Sequence, residues 1–119
     1  MTPDLIDFSG RVAIVTGGGT GIGAATALLL ARLGADVVIA SRNREVLEAK
    51  AAEIAAATGR KCLAIPTDVT VEEQVAAMVQ RTVEAFGRID VLVNNAGATV
   101  LRPIEDVASD LWHSTVALN

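Results

Sequence analysis

Short apolar runs alternate along this chain with longer segments in which apolar residues return every three or four positions. The runs at 11–16, 36–41, 62–67 and 89–94 predict strands. The segments at 21–33, 44–57 and 71–86 predict helices, and each is followed by a glycine, Gly34, Gly59 or Gly87, the residue best able to end a helix in a left-handed cap. The third helix has the sharpest pattern. Val71, Val75, Met78, Val79, Thr82, Val83 and Phe86 share one face, and Thr70 and Glu73 have the spacing of a capping box. Strands that are apolar nearly throughout, each joined to the next by a helix, imply a parallel sheet covered on both faces. Right-handed crossovers then make the fold doubly wound α/β, with an expected strand order of 3-2-1-4. The reversal of direction between the first and fourth strands opens a crevice at their carboxyl ends, where segments 16–23 and 94–97 meet.

The segment between the first strand and the first helix is Thr16-Gly-Gly-Gly-Thr-Gly-Ile-Gly23. A strand, a glycine-rich loop and a helix in that order form a site for a pyrophosphate. Glycine permits positive φ without a Cβ penalty, and the amides at the helix N-terminus face the anion. The expected ligand is a dinucleotide.

Composition narrows the classes. With 51% hydrophobic and 20% charged residues over 119 positions, the chain is expected to form one domain with a real core. Its net charge is −4 and it has only two lysines, Lys50 and Lys61, so it lacks a basic stripe for nucleic acid or an anionic membrane. Residues 12–31 carry no charge, a length that could span a bilayer. The glycines and threonines at 16–23 and the β-branched start of the run argue against a span. Asp4 and Asp7, without a basic start, argue against a signal peptide. The expected location is cytoplasmic. The single cysteine, Cys62, has no disulfide partner and is expected to be a buried, inert thiol. His113 is the only histidine, so neither a metal site nor a Ser-His-Asp triad is expected. Glu105 and Asp106 are expected to favour a following helix, and Trp112 to anchor its packing.

From about Gly10 to Asn119 the chain resembles the first half of a short-chain dehydrogenase/reductase, a family of NAD(P)-dependent Rossmann oxidoreductases. The family's T-G-x-x-x-G-x-G stands as Thr16, Gly17, Gly21 and Gly23, its D-V as Asp68-Val69, and its N-N-A-G as Asn94-Asn95-Ala96-Gly97. Trp112 and Asn119 also fall at family-like spacing. The resemblance implies a cofactor site made of Gly17, Gly19, Thr20, Gly21, Ile22 and Gly23, then Ser41 and Arg42, Asp68 and Val69, and Asn95, Ala96 and Gly97. In it the Asp68 carboxylate accepts from the adenine amino group, and the Val69 amide reaches the ring. Asn94 braces the sheet, while Ala96 and Gly97 stay small because the cofactor lies against them.

The end of the second strand bears on which cofactor fits. An acidic residue there would bind the ribose hydroxyls of NAD. Ser41 and Arg42 stand there instead, and a guanidinium can grip a 2′-phosphate with two parallel hydrogen bonds. NADP is therefore expected over NAD. Arg44 is expected to point to solvent.

By the same resemblance, the general-acid tyrosine and the lysine of Tyr-x-x-x-Lys should follow Asn119. The 119 residues contain no tyrosine, and Asn119 alone matches the catalytic set, where it would hold a water in a proton relay. The expectation is a single NAD(P)-binding domain over residues 1–119, truncated before the catalytic segment. It would be inactive alone, and would belong to a parent reductase acting on a small molecule as a homo-oligomer, a dimer or tetramer. The run Val38-Ile-Ala-Ser-Arg-Asn43 is similar to that of the family's 2,4-dienoyl-CoA and enoyl-CoA reductases. 3-Oxoacyl reductases and sugar-alcohol dehydrogenases fit nearly as well. A non-catalytic NADP-binding module is the alternative from a different class. A third expectation is a fragment that folds poorly alone, with its fourth strand an exposed apolar edge.

Overall fold

The computed structural model describes residues 6–95. Ala96, Gly97, Glu105, Asp106, Trp112, His113 and Asn119, to which expectations were attached, lie outside the described residues.

The elements follow in the order β1 (Val12–Thr16), α1 (Gly21–Arg32), β2 (Asp36–Ser41), α2 (Arg44–Thr58), β3 (Cys62–Pro66), α3 (Glu72–Phe86) and β4 (Val91–Asn94). The four strands form one sheet in the order β3-β2-β1-β4, and all pairs are parallel. This is the doubly wound, Rossmann-type arrangement expected, because parallel neighbours must be joined by crossovers and the helices supply them.

Side chains alternate across the sheet as the pleat requires. Ala13, Val15, Val37 and Ile39 face α1 and α2, packing with Ala27, Leu30, Ala31, Leu47 and Ile54. Ile14, Val38, Ala40 and Ile65 face the other way, against Val75, Met78 and Val79 of α3. Leu47, Ile54 and Met78 are fully buried, and each side chain of this size removed from water stabilises the fold by about 1.5–3 kcal/mol. Helices therefore cover both faces.

Helix ends follow local chemistry. Asn43 caps α2 by accepting from the Val46 amide at 3.1 Å, and Gly59 and Gly87 close α2 and α3 in the left-handed region. The Thr70–Glu73 capping box is not formed. The N-cap of α3 is Val71, with no side-chain cap, and the Thr70 hydroxyl instead donates to Asp68 Oδ1 at 2.6 Å. A carboxylate two residues upstream is a stronger acceptor for that hydroxyl than a helix amide is a donor to it. Strand β4 begins at Val91, two residues later than its apolar run. The Asp90 carboxylate, rather than a continued ladder, takes the Val12 amide at 2.9 Å.

That contact belongs to a charged staple at the amino ends of β1 and β4. Arg88 donates to both carboxylate oxygens of Asp90, at 2.8 and 2.6 Å, and Arg11 lies 3.7 Å away. The Arg88 hydrogen bond, then the Val12 amide and the two guanidinium charges, hold the Asp90 carboxyl below the usual carboxylate range despite its burial.

Candidate functional site

Strand register places the expected residues. Thr16 pairs with Ala40 of β2 and with Asn94 of β4, and Ser41 pairs with Pro66 of β3. The carboxyl ends of all four strands thus reach one edge, and segments 17–23, 42–43, 67–71 and 95 leave from it. Ligands of open parallel sheets bind at such an edge, where strand order reverses, here between β1 and β4.

The glycine loop turns on two residues in the left-handed region, Gly17 at φ 70° and Gly21 at φ 58°. Close approach matters at two others. A Cβ at position 18 would stand 2.6 Å from Ile39 Cγ2, and one at position 23 would stand 1.9 Å from the Gly17 carbonyl oxygen. The start of α1 therefore lies directly on the backbone leaving β1. No side chain caps α1 and no acidic residue stands in its first turn, unlike α2 with its Asn43 cap and Glu45. The amides that begin α1 have no side-chain acceptor among the described residues, an arrangement suited to an anion. Ile22 is 76% exposed beside them, an apolar surface against which a planar ring can pack. Gly19 is buried next to Ser41, whose Oγ would lie 3.7 Å from a Cβ there, and Thr20 is exposed at the N-cap.

Thr16 ties the loop to β4. Its buried hydroxyl lies 3.0 Å from Asn94 Oδ1 and accepts from the Asn95 amide at 2.9 Å. The Asn95 side-chain nitrogen lies 3.0 Å from where a Cβ of residue 23 would stand. Asn94 thus joins β1 to β4, and Asn95 meets the glycine loop.

Across the crevice, Arg42 is exposed at the end of β2, and its positive charge acts on Asp68 after β3. Asp68 Oδ1 accepts from the Thr70 hydroxyl at 2.6 Å and the Thr70 amide at 3.0 Å. These two bonds, the hydroxyl foremost, with a smaller contribution from Arg42, keep its carboxyl below the usual range. Arg44 is engaged on its own helix with Glu48 at 3.4 Å, and Lys50 with Glu53 at 2.7 Å. The structure brings Gly17, Gly19, Thr20, Gly21, Ile22, Gly23, Ser41, Arg42, Asp68, Val69 and Asn95 to the sheet's carboxyl edge.

Sequence reading missed two residues beside this edge, Thr70 and Gln74, the second accepting from the Asp68 amide at 2.8 Å. Their signal was present as Asp68-x-Thr70 and a glutamine in the first turn of α3, but it was absorbed into the capping-box reading. Among the described residues no cluster of three or more His, Cys, Asp or Glu could hold a metal, and no helix is long and apolar enough to cross a membrane.

The short chain dehydrogenase family model matches residues 11–119. The chain is 48% identical over its whole length to short chain dehydrogenase/reductase astE of Aspergillus oryzae, of which it covers 47%. It is 41% identical over 99% of its length to the peroxisomal 2,4-dienoyl-CoA reductase of Danio rerio, of which it covers 39%. It thus spans less than half the length of these relatives. Among solved structures, the Pseudomonas aeruginosa RhlG/NADP active-site complex superposes with a TM-score of 0.73 at 39% identity, over 82% of this chain and 38% of that one. With the sheet order, the glycine loop and a family match across nearly all of its residues, this chain belongs to the short-chain dehydrogenase/reductase family of oxidoreductases.

Proposed function

We propose that this chain is the NADP-binding part of a short-chain reductase that transfers hydride between nicotinamide and a carbonyl, hydroxyl or enoyl substrate. The observation that carries the reading is the Gly17–Gly23 approach, which brings uncapped α1 amides up to the end of β1, with Ser41 standing where an NAD site would carry a carboxylate and Arg42 following it. The residues present suit the cofactor. The first amides of α1 would hold the pyrophosphate, Arg42 with Ser41 the 2′-phosphate, Asp68 and Val69 the adenine, and Asn95, Ala96 and Gly97 the nicotinamide side. When bound, the dinucleotide supplies the hydride. The chain's own part is to fix and orient it. The RhlG structure, a relative in complex with NADP, supports the choice of cofactor.

In this reading residues 1–119 form one dinucleotide-binding domain that binds without turnover, since the chain has no tyrosine to act as the acid. Asn119 is its one contribution to the proton relay. The parent enzyme works in the cytoplasm as a homo-oligomer on a small molecule.

Fluorescence titration of the chain with NADPH and NADH tests the cofactor. Charge-assisted bonds to a 2′-phosphate give roughly a ten- to hundredfold preference. Arg42→Ala should abolish that preference while leaving NADH affinity within about twofold. Equal wild-type affinities for the two cofactors would refute the NADP assignment. Carbonyl and enoyl reduction by the chain alone would refute the inactive-domain reading.

A further inference from the structure

The turn after β3 is held from two sides by residues to which no role in binding has so far been given. Thr70 engages Asp68 Oδ1 through its hydroxyl and its amide, and Gln74 Oε1 reaches back from the first turn of α3 to accept from the Asp68 amide. The Asp68 carbonyl oxygen accepts in turn from the Val71 amide at 3.0 Å. Upstream, the Thr67 amide donates to the Ser41 carbonyl at 2.7 Å, which fixes the turn to β2. Among the polar groups of this tied segment with no hydrogen-bond partner among the described residues are Asp68 Oδ2, an acceptor, and the Val69 N–H, a donor. An adjacent acceptor and donor match the edge of adenine, whose 6-amino group donates and whose N1 accepts. Hypoxanthine inverts both, offering a carbonyl oxygen and an N1–H.

We infer that Thr70 and Gln74 are positioning residues for adenine: by holding Asp68 Oδ1 and the Asp68 amide they leave Asp68 Oδ2 and the N–H of the next residue, Val69, free to read the base. The inference rests on the dinucleotide reading above, and it assigns the selectivity for the base to two side chains that never touch it. Without the Thr70 hydroxyl, Asp68 Oδ1 keeps only the longer bond from the Thr70 amide, and the carboxylate is held less firmly. Without the Gln74 carbonyl, the Asp68 amide loses its acceptor and the turn can shift on α3. Either change should weaken adenine recognition while leaving phosphate binding intact.

The test titrates the 119-residue chain by fluorescence with NADPH and with its hypoxanthine analogue, which differs at the base edge alone. Wild type should prefer NADPH by about tenfold, the effect of one charge-assisted hydrogen bond. Thr70→Val and Gln74→Ala should each bring that preference below about threefold by weakening NADPH binding while the analogue binds as before. Thr70→Ser, which keeps the hydroxyl, should restore it. A preference unchanged in both variants would overturn the inference and leave the dinucleotide reading standing. So would parallel weakening of both ligands with a lowered Tm, which marks a merely structural role. A wild type that binds the two alike, or binds neither, removes the adenine contact itself and the inference with it.

Discussion

Gly23→Ala puts the close packing of the glycine loop to a direct test. The new Cβ would lie 1.9 Å from the Gly17 carbonyl oxygen, 2.6 Å from the Gly17 carbonyl carbon and 3.0 Å from the Asn95 side-chain nitrogen. Carbon and oxygen in their closest ordinary contacts keep about 3.3 Å, so α1 and the strand end must separate by more than about 1 Å. Backbone cannot swing aside as the end of a side chain can, and overpacking of this kind costs about 1–3 kcal/mol. In a domain of this size that lowers Tm by roughly 5 °C or more. Binding should suffer further, because the same displacement moves the α1 amides off the phosphates, and a misplacement of about 1 Å can cost a hundredfold where geometry matters. The assay is thermal unfolding of the free chain alongside NADPH titration, with Gly59→Ala as the control. Gly59, unlike Gly23, is a left-handed residue, at φ 72°, with nothing within 4 Å of an added Cβ and a place at the far end of α2. Its replacement should cost about 1 kcal/mol of strain and leave NADPH affinity unchanged. A folded Gly23→Ala variant that binds NADPH within twofold of wild type would refute the packing argument.

Further expectations concern stability and reactivity. Asp90→Ala removes the acceptor of the Val12 amide and both Arg88 bonds. It should cost about 2 kcal/mol in urea unfolding at pH 7. Because the folded carboxyl titrates below its unfolded value of about 3.9, this contribution is complete above that pH. It should shrink as pH falls through the folded pKa, and a wild-type advantage undiminished in acid would contradict it. Burial pushes the Cys62 thiol up to about 12. Its alkylation at pH 8 should run more than about a hundredfold slower in the native chain than in urea, and equal rates would show the thiolate to be accessible.

Much of the fold was legible because its signals are local. The span of β2 and the start of α2 match the sequence reading to the residue, since an apolar run bounded by Asp36 and Ser41 and a cap at Asn43 depend only on chain neighbours. The Asn94 bracing role also has a counterpart, in its contact with Thr16. Legibility fell where two local signals competed. Thr70 had both a helix to cap and an aspartate two residues back, and the charged acceptor took its hydroxyl. It fell again at β4, where the apolar run could not reveal that the Asp90 side chain takes the Val12 amide across 78 positions of sequence.

The sequence by itself determined which segments are strands, helices and glycine turns, because period, caps and permitted φ are properties of adjacent residues. It also specified Ser41 followed by Arg42 in place of a carboxylate at the end of β2. Only the tertiary structure decided that Gly23 rests on the Gly17 carbonyl, that Thr16 binds the Asn95 amide, that Arg42 acts on Asp68, and that Gln74 holds the Asp68 amide. The Thr16 and Arg42 contacts depend on strand order and register, which bring segments distant in sequence to one edge of the sheet, the Gly23 contact on how α1 folds back over the end of β1, and the last on how α3 leaves its turn. No local pattern encodes either.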